Sequence, residues 1–379
     1  MSGRDGDALL GFPVADVAPG TLVDAGSSTV FEDGRTARVL RIEGGDARDV
    51  AWCFDESDAS TGELVVFDHR HVVVEILDPM EGADPGDVTA KRFPFWGDAS
   101  DLVEILDVKP RGKNHFLSVV RGHHVRPVVE GSQMIGQAIV AAGRLQPERR
   151  PVSAHMAFFR SADATMPLLF RVEELSSGRT FTTLSVVVSQ AGRRCAAGSV
   201  LLDVTTADLV RHAVEAPKTP GPYESQPVDM SVTGRDIRVV DGAYSGDPEA
   251  VVGPPLIDAW VRFRELPDDP PLHAGLVAQF TGHMSIAAAL RPHAGIGQDQ
   301  AHRSISTAIN AISMSFHSAV HADRWLLYRH LSTFAGDGMT HSECRVHDER
   351  GAMLASFSVD AMVRAFSDPT VPHDERTAL

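Results

Sequence analysis

Glu130-Gly131-Ser132-Gln133-Met134-Ile135-Gly136-Gln137-Ala138-Ile139-Val140-Ala141-Ala142-Gly143 is the stretch on which the fold turns. Apolar residues at 134, 135, 138, 139 and 142 recur at helical spacing, and Gly143 is a natural stop. Because apolar side chains run around most of its surface, this helix should be buried rather than lie on an edge. Upstream, a polar stretch ending in Lys113-Asn114 leads into the strand-like run Phe116-Leu117-Ser118-Val119-Val120. Downstream, residues 152–159, 168–175, 180–190 and 194–203 read as strands, the last two joined by the turn Ala191-Gly192. A helix wrapped by a long antiparallel meander follows from that order.

Residues 215–227, rich in Pro, Gly and Ser and without periodicity, read as the heart of a linker. After it the order returns: a helix over 272–290, then strands near 304–317, 325–334, 339–347 and 352–366. One helix followed by four strands, twice, is what a duplicated fold leaves behind, since each copy buries the same helix face against the same sheet face. The expected layout is a β-rich segment over 1–105, a first half over 106–212, a linker over 213–240, and a second half with its tail over 241–379. The class is α+β.

The chain has 379 residues, enough for two or three domains, and its 43% hydrophobic content suits packed cores. With 51 acidic against 35 basic residues, its net charge of −16 repels nucleic acid and anionic membrane surfaces. An anionic ligand would then need a local basic patch, for which Arg144, Arg149, Arg150 and Arg160 are candidates. Cys53, Cys195 and Cys344 are too scattered for a disulfide framework or a metal knuckle. With no leader-like start and no apolar run long enough for a membrane span, the expected location is the cytoplasm.

The segment Glu130–Ala138 resembles the signature of the acyl-CoA thioesterase II family, in which a Gly-Gly-Gln turn opens the buried helix of a hot-dog fold. Ser177-Gly178-Arg179-Thr180-Phe181 resembles that family's Gly-Arg-Ser-Phe turn, and Ser189-Gln190-Ala191-Gly192 its Gln-x-Gly hairpin. Leu290-Arg291-Pro292-His293, Phe316-His317 and Trp325-Leu326-Leu327-Tyr328 fall in the family's order. The resemblance implies a tandem, double hot-dog over about 106–367 that hydrolyses acyl thioesters of coenzyme A or of a carrier protein, needs no cofactor or metal, and forms a homo-oligomer. It also implies an Asp on the second helix, a Thr or Ser on the next strand and a Gln on the last strand, which together orient the attacking water. A helix N-terminus would hold the oxyanion, where backbone N–H groups already point at developing negative charge.

The residues depart from that pattern. The Asp position falls at Gly282, with His283 beside it; the Thr position falls at Ile309, with Thr307 two residues earlier on the same strand face; the Gln position falls at Val359, or at Asp360 with a one-residue gap. A replacement set is therefore expected: His283 as base, Asp360 orienting it and Thr307 holding water, because imidazole is a good proton acceptor near neutral pH. Gly131, Gln133, Gln137 and Gly282 are the expected substrate contacts. Two rivals keep the same fold. One is an acyl-thioester-binding or scaffold protein that has lost hydrolysis, and the other is a dehydratase or isomerase using His283 with Asp360.

Other chemistries lack their residues. No GxSxG elbow, HExxH, Walker or Rossmann glycine pattern is present. His69-Arg70-His71 followed by Glu75 resembles the first metal motif of cupins, but its spacing from Gly62 is one residue too long and no partner motif follows. His123, His124, His317 and His321 read as surface or cleft polar groups rather than ligands.

Overall fold

The computed structural model of the chain describes residues 99–119, 128–228, 235–264, 266–301 and 304–366, together with five strands between residues 28 and 77. The chain divides into two compact units. The first contains β1 (Ser28–Val30), β2 (Thr36–Glu43), β3 (Val50–Phe54), β4 (Thr61–Val66) and β5 (Arg70–Leu77), an antiparallel sheet in the order β1-β2-β5-β4-β3. His69, His123, His124 and the side chain of His71 lie outside the described residues.

The second unit, which begins at Leu102, is built on most of α1 (Ala99–Leu106), β6 (Lys109–Pro110), β7 (His115–Leu117), α2 (Gly131–Leu145), β8 (Arg150–Phe158), β9 (Leu169–Ser177), β10 (Phe181–Gln190) and β11 (Arg193–Asp203). It continues through β12 (Gln226–Pro227), β13 (Arg235–Val239), β14 (Leu256–Phe263), α3 (Pro270–Gln279) and α4 (Ser285–Leu290). The last strands are β15 (Ile305–Phe316), β16 (Leu326–Gly336), β17 (Met339–Asp348) and β18 (Met353–Ala365).

Its strands form one 13-stranded sheet in the order β12-β13-β14-β16-β17-β18-β15-β8-β11-β10-β9-β7-β6. Read outward from the centre, β15-β18-β17-β16-β14 mirrors β8-β11-β10-β9-β7, so the halves share one strand order about a local dyad. They join where β15 pairs antiparallel with β8, Ser313 opposite His155 and Met314 opposite Ala154. Each half wraps its own helix, which is the double hot-dog.

Strand alternation decides the faces. In β10 the burial pattern alternates along Phe181–Gln190, placing Leu184, Val186 and Val188 inward at 0% exposure. In β18 the same alternation turns Phe357, Val359 and Ala361 inward and leaves Asp360 on the opposite face. The central helices cross at glycine: a Cβ on Gly136 would lie 2.6 Å from the Gly275 carbonyl oxygen, and one on Gly143 2.8 Å from Pro271. Only residues without side chains allow so close an approach. Helix α1 caps α2 through buried Leu102 and Leu106, and the Gln137 amide donates to the Ile105 carbonyl at 2.6 Å.

The stretch read as a linker, 213–240, carries structure of its own. β13 pairs with β14 from Arg235 opposite Phe263 to Val239 opposite Ala259. Earlier in that stretch, the Pro220 carbonyl accepts from Trp260 Nε1 at 2.9 Å and Tyr223 meets Trp325 edge-on at 6.1 Å. The aromatic surface of Trp260 and Trp325 explains why a segment without periodicity is held against the sheet.

Candidate active site

The second central helix is not continuous over 272–290 as its apolar pattern suggests. Helix α3 ends at Gln279, a single 3₁₀ turn covers Phe280–Gly282, and α4 restarts at Ser285. Local hydroxyls compete for the helix carbonyls here: Thr281 Oγ1 donates to Ala278 O at 2.6 Å, and Ser285 Oγ to Thr281 O at 3.0 Å. Gly282, with its low helix propensity, sits at the break. The break delivers Gly282 and His283 to the N-terminus of α2.

At that junction the family's reactive positions are apolar. An ideal Cβ on Gly282 would stand 2.5 Å from Ile309 Cδ1 and 3.2 Å from Ser132 Oγ, so the isoleucine occupies the space a side chain at 282 would use. The two departures are one steric unit. Val359, buried at 1% exposure, faces the same interior.

Polar groups crowd the adjacent volume instead. Arg235, 4% exposed, donates from Nη1 to Gln279 Oε1 at 3.0 Å and from Nη2 to His283 Nε2 at 3.0 Å, with its guanidinium 5.1 Å from the Phe280 ring centre. A guanidinium only donates, so Nε2 must be the accepting nitrogen and the ring proton sits on Nδ1. Burial, and then the Arg235 charge, hold His283 well below the usual imidazole range. It is therefore neutral, and its 3.7 Å approach to Glu130 Oε2 is not an ion pair. Burial pulls Arg235 down to about 10 while the Glu130 carboxylate acts in the opposite direction, so the guanidinium stays charged at neutral pH.

Glu130 occupies the N-cap position of α2 in an extended conformation, and its side chain makes no capping bond. A third of that side chain, 33%, is exposed, against 7% for His283. Ser132, in the first turn, is buried at 1% exposure, and its Oγ, like Arg235 Nε and Gln279 Nε2, has no hydrogen-bond partner. The helix start thus combines amide dipoles, a fixed cation, a partly exposed glutamate and unpartnered buried polar atoms.

The residues expected to act together are only partly assembled. His283 is in the cluster but, beside Arg235, is a poor proton acceptor. Asp360 is a correction: it sits on the opposite sheet face, half exposed, and accepts from His341 Nδ1 at 2.7 Å, so it does not orient His283. The alternation that turns Val359 inward turns its neighbour outward. Thr307 is buried on β15 on the Ile309 side, about 7 Å farther along the strand by its rise. Gly131 packs on the Phe158 ring, and Gln133 is 7% exposed in the first turn of α2. Gln137, fully buried, gives its Nε2 to Ile105 of α1.

Two of the arginines proposed as a basic patch are also occupied. Arg144 bridges Asp107 at 3.0 Å and Asp269 at 2.7 Å, and Arg149 donates to the carbonyls of Thr180 and Gly178. Among the described residues no group of three or more His, Cys, Asp or Glu is arranged to hold a metal ion, and no helix is long and apolar enough to cross a membrane.

Two family profiles match this architecture half by half: the acyl-CoA thioesterase N-terminal domain over residues 121–202 and the acyl-CoA thioesterase C-terminal domain over 208–362. The chain belongs to the acyl-CoA thioesterase II family. Human acyl-coenzyme A thioesterase 8 is 25% identical over 293 residues, spanning 69% of this chain and 88% of that protein. Acyl-CoA thioesterase 2 of Haemophilus influenzae is 23% identical over 255 residues, 62% of this chain and 87% of its own. Among solved structures, acyl-CoA thioesterase II TesB2 of Mycobacterium marinum superposes with a TM-score of 0.59 at 25% identity, covering 70% of this chain and 99% of that one. The tesB protein of Mycobacterium avium subsp. paratuberculosis gives 0.60 at 22% identity, covering 70% and 99%.

Sequence reasoning missed Arg235 and gave Glu130 no role. Arg235 fell inside the presumed linker, although Arg235-Asp236-Ile237-Arg238-Val239 alternates as a strand whose first inward position is the arginine. Glu130 was visible as a carboxylate immediately before a helix N-terminus, a place where negative charge is favoured.

Proposed function

We propose that this acyl-CoA thioesterase II family member hydrolyses acyl-CoA thioesters at the start of α2. Membership across both halves supports the reaction class. The observation that carries the placement is the convergence of the α2 N-terminus with unpartnered, 1%-exposed Ser132 and the Arg235–His283–Glu130 cluster. Amide groups there suit the oxyanion of a tetrahedral intermediate, and Gly131, Gln133 and Gly282 border the place where the thioester carbonyl would lie. No metal or cofactor is needed for attack by water on an activated thioester.

The test is thiol release by the purified full chain from acetyl-, hexanoyl-, decanoyl- and palmitoyl-CoA, with the matching carrier-protein thioesters alongside. Turnover of any member supports hydrolysis, and the preferred carrier decides between coenzyme A and a carrier protein. Saturable binding without thiol release would overturn it in favour of a binding protein, the reading favoured by the apolar residues at Gly282, Ile309 and Val359.

A cytoplasmic location is proposed on the free thiols of Cys195 and Cys344; recovery in an oxidising compartment would oppose it. Self-association is proposed on the outer sheet face, where Ser185, Ser199, His155, Ser313 and Ser358 stand in register across five strands. Sedimentation as a monomer at micromolar concentration would refute it.

A further inference from the structure

We propose that Glu130 is the water-activating carboxylate of this enzyme and that Arg235, buried in the same cluster, is a positioning charge for it. The inference rests on the hydrolase reading and adds a catalytic residue at a position different from the family's Asp, Thr and Gln. Three features carry it. The family's positions contain no proton acceptor: Gly282 has no side chain, Ile309 fills the space before it, and Val359 is apolar. Glu130 is the carboxylate at the N-cap of α2, next to the amide groups that would receive the oxyanion, and it combines partial exposure with an approach of 3.7 Å to buried His283. Arg235 is anchored twice, to Gln279 Oε1 and to His283 Nε2, each at 3.0 Å, so its charge is fixed rather than free to follow a substrate.

This arrangement gives His283 a task that fits its protonation. As a neutral acceptor it holds Arg235, and with Phe280 stacked on it at 5.0 Å the ring has little freedom. From β16, Tyr328 acts electrostatically on Arg235 and His330 acts on His283. Tyr328 is neutral because burial raises its phenol, and His330 is neutral because burial lowers it to about 3. Arg235, held on β13, is a fixed charge that interacts with Glu130.

The step balances without a further reactant. The Glu130 carboxylate takes a proton from water while the water oxygen bonds to the thioester carbonyl carbon, and the carbonyl electron pair moves to oxygen beside the α2 amides. Collapse restores the carbonyl and breaks the carbon–sulfur bond. The departing thiolate takes the proton from Glu130, leaving a carboxylic acid, a free thiol and the enzyme as it began.

The experiment compares the wild type with Glu130→Gln, Arg235→Lys and Arg235→Met, using the acyl-CoA the wild type turns over fastest. Glu130→Gln should lower kcat about 100-fold or more with KM changed less than about 3-fold, since amide replaces base without altering shape. Arg235→Met should move the acid limb of the kcat/KM profile up by about one pH unit, because losing a nearby cation makes a carboxylate easier to protonate, and Arg235→Lys should restore that limb. Thermal unfolding of each variant separates a lost role from a lost fold. If Arg235→Met does not fold, the Glu130→Gln and Arg235→Lys profiles decide. A wild type active on acyl-CoA whose Glu130→Gln variant keeps full turnover would overturn this assignment while leaving the hydrolase reading intact. A wild type that releases no thiol would overturn both.

Discussion

Gly282 and Ile309 make a quantitative test of the site's geometry. A Cβ at 282 would lie 2.5 Å from Ile309 Cδ1, the flexible end of that side chain, and 3.2 Å from Ser132 Oγ. Substituting Gly282→Asp gains ~0.5–1 kcal/mol by restricting the unfolded chain. It costs ~1–3 kcal/mol in overpacking and a further ~2 kcal/mol for desolvating a carboxylate against isoleucine, beyond what a bond from Ser132 Oγ returns. The net expectation is a loss of about 3 kcal/mol. Ile309→Thr alone removes Cδ1 and should cost ~1–2 kcal/mol. In the double variant the missing Cδ1 opens the space and the threonine hydroxyl can donate to the carboxylate, so the two losses should fall short of their sum by ~2 kcal/mol. Urea unfolding of the four proteins, fitted by linear extrapolation, reads the coupling directly. Additivity within ~0.5 kcal/mol would refute the steric unit described here. Adding Val359→Gln to the double variant restores the family's set of side chains and should raise thioester turnover that depends on residue 282.

Gly136→Ala should be poorly tolerated, by about 2 kcal/mol or more, because its new methyl group would sit 2.6 Å from the Gly275 backbone oxygen, which cannot swing aside; a thermal midpoint unchanged within ~2 °C would contradict the helix crossing. Stability should fall on acidification: His330 is lowered to about 3 by burial, so its contribution is complete above the unfolded value of 6.5 and declines by ~1.4 kcal/mol per pH unit below it. His330→Gln should flatten that slope by one proton, and an unchanged slope between pH 7 and pH 5 would show that the residue does not titrate on unfolding. Asp360→Asn should leave turnover untouched and change stability by less than ~1 kcal/mol, since its bond to His341 is half exposed; a tenfold loss of kcat would restore Asp360 to the site.

The two central helices and eight of the strands were legible because their periodicity is local, while α1, β13 and β14 were not read. Met134, Ile135, Ala138, Ile139 and Ala142 announce a buried helix without reference to any other segment, and the eight strands read from the sequence differ from those observed by only a few residues at their ends. The duplication was equally legible, since the order of elements repeats. Periodicity could not show the interruption at Phe280–Gly282, because the apolar residues continue across it and only the Thr281 and Ser285 hydroxyls, turned back onto the helix, mark the break.

The site was legible as a set of departures but not as an arrangement. Alignment of motifs placed Gly282, Ile309 and Val359 where reactive side chains belong, and left His283 and Asp360 as the nearest polar substitutes. Whether two residues meet depends on which sheet face each one occupies. Strand alternation sends Asp360 to His341 on the outer face, while Arg235, 48 positions before His283, arrives through β13 to hold it. Local pattern determines what each segment becomes, because hydrophobic burial acts on every turn and every strand at once. Which charges share a buried volume is decided only when distant segments pack, since a desolvated histidine takes its protonation state from neighbours that no stretch of the chain contains by itself.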